Sequence, residues 1–349
     1  MASTAMQLAS RITLGWNAGN TLEAIGGETA WGNPQITREQ ISFVKASGFD
    51  SIRLPCSWNQ YANQTTAKID DAWLNRVRQV VQYCIDADMT VLLNIHWDGG
   101  WLDENINASA RDATAAKQKA FWEQIATHLR DFDERLMFAS ANEPPADDAA
   151  EMDILFHYHQ TFIDAVRSTG GRNAYRVLVL QGPSTDIEKS DLLWNRMPTD
   201  TLDHRLMAEV HYYTPPNFAI LSEDASWGRM FYYWGRDYHS TTDPTRNADW
   251  GEEDTVDQMM ALMKRKFVDS GIPVVLGEYG AVRRTNLTGD DLTLHLASRA
   301  YYFKYVTQQA RANGLLPYHW DTGDLINRRS LTVVDQQALD ALLDGAGKK

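Results

Sequence analysis

Cysteine is nearly absent: Cys56 and Cys84 are the only two in 349 residues. Two are too few for a disulfide framework, and their spacing matches no zinc motif. Both read as buried thiols. Cys56 closes a strand and Cys84 lies deep in the helix that runs back from it, so no disulfide is expected. Clustered positive charge is also missing. The 33 Lys and Arg are scattered along the chain against 46 Asp and Glu, for a net charge of -13. That leaves no electrostatic footprint for nucleic acid or an anionic membrane, and a neutral partner fits better. No apolar run is long enough to span a bilayer, and "MASTAMQLAS" has neither the basic nor the apolar region of a leader. A glycine-rich phosphate turn is absent too: "GWNAGN" after the first apolar run does not match the dinucleotide fingerprint, which argues against an open doubly wound sheet.

What the chain does have is aromatic residues and a repeating order. Its 12 Trp and 14 Tyr include several in Gly- or Asp-bearing segments such as "WDGGWLDEN". Aromatics in such loops are better placed to stack on a flat ligand than those inside periodic helices. Eight short apolar runs can be marked: "RITLGWN" from Arg11, "SIRLPC" from Ser51, "TVLLNIH" from Thr90, "RLMFASANE" from Arg135, "RVLVLQG" from Arg176, "RLMAEVHYY" from Arg205, "PVVLGEYG" from Pro273 and "LLPYHWD" from Leu315. They are continuous rather than alternating, as strands covered on both faces should be. Helical patterns separate them. Trp73, Val77, Val80, Val81, Cys84 and Ile85 trace one helix face, and further patterns lie near 37–47, 115–130, 149–168, 254–269 and 289–312. Strand and helix alternating eight times predict an α/β fold, a (β/α)₈ TIM barrel, with residues 1–349 as a single domain. The longest insertion, roughly 214–254, should sit over the mouth after the sixth strand and carries Trp227 and Trp234.

Polar residues gather where these runs stop. Arg53 lies in the second run, His96 ends the third, Asn142 and Glu143 the fourth, His211 and Tyr213 the sixth, Glu278 the seventh and Trp320 the eighth. In a barrel all these ends converge on one mouth, so Glu143 and Glu278 become neighbours across a cleft. Two facing carboxyl groups, one protonated and one ionised, are what glycosidic bond cleavage requires.

On these residues the chain resembles glycoside hydrolase family 5. The likeness rests on "GWNAGNTLEA", "IRLP", "NIH", "ANEP", "VHYYTP", "LGEYG" and "HW", seven motifs in register over almost the whole chain. It implies a retaining hydrolase with Glu143 as acid/base and Glu278 as nucleophile. It also implies that Asn142 bonds the 2-hydroxyl of the reacting sugar, that Arg53 and Tyr213 donate to Glu278, that His211 lies near Glu143, that His96 lines the same subsite and that Trp320 forms its floor. "HWDGG" puts Trp97 where many relatives carry a second His. Among the members, endo-β-1,4-glucanases are the most similar, with mannan, glucomannan and xyloglucan as alternative polymers. Flanking subsites have Trp31, Trp58, Trp97, Trp101, Trp227 and Trp234 as candidates. No cofactor or metal is expected, and the partner is a β-glucan polysaccharide or oligosaccharide. The protein is expected to be a monomer, secreted or periplasmic in its native form.

Blander readings of the same residues stand beside these. A strand-end Glu is often only an ion-pair partner, Asn142 can tie down the turn before Pro144, and either His can be a satisfied core residue. An inactive carbohydrate-binding barrel would keep the aromatics but lose a carboxylate, and a metal-dependent hydrolase would lose activity with a chelator.

Overall fold

The computed structural model describes residues 1–348. Eight strands form a closed parallel barrel in sequence order: β1 (Gly15–Ala18), β2 (Ser51–Leu54), β3 (Thr90–Asn94), β4 (Leu136–Ala139), β5 (Leu178–Gln181), β6 (Leu206–Tyr212), β7 (Val274–Tyr279) and β8 (Leu315–Asp321). β8 pairs with β1 from Gly15 opposite Tyr318 to Ala18 opposite Asp321, which shuts the ring. Each of the eight apolar runs contains one strand. The first starts later than its run, at Gly15, because the N–H groups of Thr13 and Leu14 are taken by the Asp50 carboxylate.

Helices cover the outside: α1 (Ala5–Ala9), α2 (Arg38–Ala46), α3 (Asp71–Asp86), α4 (Arg111–His128), α5 (Ala149–Ser168), α6 (Ile187–Leu193), α7 (Pro216–Ala219), α8 (Glu253–Lys266), α9 (Gly289–Ala312) and α10 (Gln336–Gly345). Their starts follow from capping. The side chains of Thr37, Asp70 and Asp148 accept backbone N–H groups at the first turns of α2, α3 and α5. The α3 face expected from the sequence buries Trp73, Val77, Val80, Val81 and Cys84. Four helices have no counterpart among the expected patterns: α1, α6 and α7 are too short to show a period, whereas α10 carries a readable stripe in Leu339 and Leu342. None of the described helices is long and apolar enough to cross a membrane. Cys56 and Cys84 are free and buried, as expected.

Inside the barrel two layers differ. Towards the floor lie Leu92, Met137, Val179, Met207, Val275, Leu316 and Tyr318, capped by Leu8 and Ile12 in and after α1. Above them Asn17, Arg53, Asn94, Gln181 and Glu209 are fully buried polar residues. Burying that much polarity is tolerable only if each group finds a partner, and the pairing among them builds the site.

Candidate active site

Arg53 on β2 is the hub. Its Nη1 donates to Glu278 Oε1 at 2.7 Å and to Asn17 Oδ1 at 3.0 Å, and its Nη2 donates to Asn142 Oδ1 at 2.9 Å. The Nε side faces Glu209 Oε1 at 3.0 Å as an ion pair. Its guanidinium group thus fixes the positions of four other side chains at once.

Glu278 reaches the mouth through a bulge. Val210 pairs with Leu276, but His211 pairs with Glu278, so Gly277 is an extra residue on β7. A side chain there would push Glu209 out of place, since a Cβ on Gly277 would lie 2.0 Å from Glu209 Oε1. Both Glu278 oxygens are occupied: Oε1 accepts from Arg53, and Oε2 accepts from the Tyr213 hydroxyl at 3.0 Å.

Glu143 lies four residues beyond β4, past Asn142. The opening there follows from local bonds, because Ser140 N–H still donates to Val179 but Ala141 N–H donates to the Gln181 side chain, ending the ladder before the two prolines. Glu143 Oε1 faces His211 Nδ1 at 2.7 Å, and its side chain is 44% exposed against 7% for Glu278. One carboxylate is therefore gripped from both oxygens, while the other has an oxygen open to the cleft.

His211 lies between carboxylates, with Nε2 at 3.1 Å from Glu209 and Nδ1 at 3.8 Å from Glu278 as well as against Glu143. Burial opposes its charge, but Glu278, Glu143 and Glu209 outweigh that and raise its pKa to about 9. Burial also pushes Glu278 up; His211 and Arg53 pull it down, and the charge of Glu143 adds to the rise. Glu143, although burial acts to raise it, is held below its ordinary value by the His211 hydrogen bond. The rise in Glu278 comes partly from an ionised Glu143. A proton placed on Glu143 removes that contribution, so the two carboxyls share one proton as a pair. Hydrogen-bond geometry favours Glu143 as its holder, because the donors on both Glu278 oxygens stabilise the ionised form of that group, whereas one Glu143 oxygen meets no such donor.

One atom each from Glu143, His211 and Glu278 lies within 4.8 Å of the others, which is also compact enough for a metal ion. Both His211 nitrogens meet carboxylates that favour its protonated form, so a cation there would have to displace a proton from the imidazole.

The remaining expected residues are also here. His96, two residues beyond β3, lies parallel to the Trp320 ring at 5.9 Å and 7°. Burial, with Arg53 and His211 nearby, pushes it well below the usual range, so it is neutral. Asn142 has its oxygen committed to Arg53, which leaves its N–H edge as the free one. A cleft of about 360 Å³ opens beside Trp320 between Tyr213, Ile220, Val282 and Asp324. Another of about 480 Å³ opens beside His211 and is lined by Thr214, Glu188 and Trp250.

Two expected platforms are not surfaces. Trp58 and Trp234 are fully buried, their indole N–H groups donating to the carbonyls of Asn94 and Gly251. They anchor loops from within. Trp101 is half-buried, edge-on to Phe121 and bonded to Asp98. Trp31, Trp97 and Trp227 are exposed.

Three residues were not anticipated. Glu209 has as its sequence signal a charge inside the apolar run "LMAEVHYY". Trp250 is exposed in the long insertion. Asp103 is buried, its Oδ2 accepting from Glu143 N–H at 3.4 Å and its Oδ1 without a partner among the described residues. Burial, helped by the charges of Glu143, Asp98 and Glu104, pushes it up to about 8.

A family model described as cellulase (glycosyl hydrolase family 5) matches residues 17–324. A xyloglucan-specific endo-beta-1,4-glucanase of Bacteroides ovatus is 36% identical over 92% of this chain, and the chain spans 65% of that relative's length, just under two thirds. Endoglucanase A of Paenibacillus barcinonensis is 34% identical over 98% of this chain and 90% of its own. Among solved structures, a Bacteroides ovatus GH5 xyloglucanase in complex with a XXXG heptasaccharide superposes with a TM-score of 0.93 at 33% identity, covering 99% of this chain and 77% of the other.

Proposed function

The chain belongs to glycosyl hydrolase family 5, and from that membership we propose that it is an endo-acting, retaining β-1,4-glucanase in which Glu278 is the nucleophile and Glu143 the acid/base. The observation that carries the reading is the asymmetric carboxylate pair: oxygens within 4.8 Å, one residue clamped by Arg53 and Tyr213, the other half open. Retaining glycosidases place their carboxyl groups about 5–5.5 Å apart, and inverting ones wider to admit a water.

In the first half-reaction a Glu278 oxygen attacks the anomeric carbon as the glycosidic C–O bond breaks, and the leaving oxygen takes the Glu143 proton. In the second, water attacks the same carbon, gives its proton to Glu143 and releases Glu278. His211 stabilises the Glu143 carboxylate formed between the two steps. Asn142, its oxygen held by Arg53, turns its N–H edge to the 2-hydroxyl, a contact that strengthens as the ring flattens. Trp320, braced by His96, supplies the apolar face beneath the sugar, while Trp97 and Trp250 are platforms for neighbouring units. The polymer cannot enter a cell, so the native protein works outside the cytoplasm.

Xyloglucan is a second reading for the substrate, supported by the likeness to xyloglucan-directed enzymes of Bacteroides ovatus. The test is a panel of carboxymethylcellulose, barley glucan, xyloglucan, glucomannan and mannan, with product lengths and anomeric configuration read by NMR. Internal cleavage with β-anomer products is expected. An initial α-anomer product overturns the retaining assignment, and no cleavage of any panel member overturns the glucanase reading.

A further inference from the structure

Glu209 is absent from the chemistry just described, yet it is the most completely buried carboxylate near the site, with a side chain fully shielded from solvent. It lies beneath both cations, 3.0 Å from Arg53 Nε and 3.1 Å from His211 Nε2, and its second oxygen accepts from Gln181 Nε2 at 2.6 Å. Gly277 is kept bare to admit it. A buried ionised carboxylate is costly unless paired, and two pairs plus a hydrogen bond are an unusual investment for packing alone.

We propose that Glu209 is a positioning residue for the acid: its fixed negative charge obliges the buried cluster to retain one proton, and the geometry leaves that proton on Glu143. The inference rests on the reading of Glu143 as acid/base. Charge balance carries it. Arg53 and His211 are the cations, and Glu143, Glu209 and Glu278 are the carboxyls. Four of the five groups are buried, where an unbalanced charge is poorly screened, and neutrality of the five requires one protonated carboxyl. Without Glu209, the same two cations would balance Glu143 and Glu278 as a pair of carboxylates, and the acid proton would be lost at lower pH. The other titratable groups facing His211 and Glu143 do not alter the balance. His96 is neutral, Tyr213 keeps its phenolic proton, and Asp103 keeps its own near neutral pH. The donors elsewhere favour ionised carboxylates: Glu209 accepts from Gln181 and meets both cations, and Glu278 accepts at both oxygens, which leaves the open Glu143 oxygen as the favoured place for the proton.

The experiment is the pH profile of kcat/KM on soluble barley glucan for wild type, Glu209→Gln and Glu209→Asp. Removing one charge at hydrogen-bond distance from His211 should move the alkaline limb of Glu209→Gln to lower pH by about one unit or more, while Glu209→Asp keeps its limb near that of wild type. A Glu209→Gln profile lowered equally at all pH values, with its limb unmoved, overturns the proposal and assigns Glu209 a merely structural role. A measurement on wild type alone guards against a variant that does not fold. The ¹⁵N titration of the His211 imidazole should show it cationic through pH 8, and a neutral His211 at pH 7 overturns the charge balance. That titration is decided even if wild type cleaves none of the glucans, so failure of the hydrolase reading is distinguishable from failure of this one.

Discussion

At the floor of the barrel Met137, Val179, Met207 and Val275 meet against Leu8 and Ile12; two to four residues further along β5, β6 and β7 stand Gln181, Glu209, His211 and Glu278. Both layers are almost dry. The floor is held by shape and apolar area, where each group substitutes roughly for its neighbours. The mouth is held by directional bonds converging on Arg53, where one deletion strands several partners. Stability and chemistry are thereby separated along the strand axis, and substitutions at the two ends should fail in different ways.

The sharpest contrast comes from the mouth. Glu278→Ala should lower kcat on every β-glucan by about 10⁴-fold or more with the fold intact by circular dichroism. Azide should then restore turnover as a glycosyl azide of inverted configuration, and activity close to wild type rejects the nucleophile. Next, Glu143→Gln should lose roughly 10²–10⁴-fold on polymer, the usual worth of a general acid. It should lose far less on an aryl glycoside whose leaving group needs no proton, so equal losses on both would deny the acid role. At the floor, Leu8→Ala should cost about 2–5 kcal/mol of stability, seen as a lower urea midpoint, with kcat within about twofold of wild type. A kcat loss matching the stability loss would mean that the layers are not separate. Trp97→Ala and Trp250→Ala should raise KM by roughly tenfold each, the value of one lost stacking contact, and shift product lengths.

The smallest effect concerns Asp103. Its carboxyl, raised to about 8, is protonated below that pH and ionises above it, next to the Glu143 backbone. Asp103→Asn should match wild type near pH 6 and lose more activity above pH 8, because no charge then forms beside Glu143 to hold its proton there. A superimposable pair of profiles removes Asp103 from the account.

The contrast between layers also explains what the sequence made legible. Polar residues that end an apolar run stand out, and Glu143, Glu278, His96, His211 and Trp320 were readable for that reason. Glu209 interrupts a run instead. Nothing in one sequence says that Arg53 and His211 will be there to neutralise it, so the pattern alone does not distinguish it from a flaw in the strand. Trp58 and Trp234 show that a loop position in the sequence does not imply exposure, since both are fully buried. In a chain this size the loops over the mouth have an interior of their own, and an indole whose N–H meets a backbone carbonyl packs there as well as in a helix. The bulge at Gly277 shows as a glycine inside a strand, a cue that "LGEYG" carries.

The seam between β1 and β8 joins residues 15–18 to residues 318–321, nearly the full chain apart. During synthesis the ring cannot shut until the last strand has left the ribosome, so the nascent chain carries two unpaired parallel edges for most of translation. Trp16 and Asp321, bonded at 2.9 Å across that seam, are thus among the last contacts to form, and a chain ending before β8 would present an open, sticky sheet rather than a smaller enzyme.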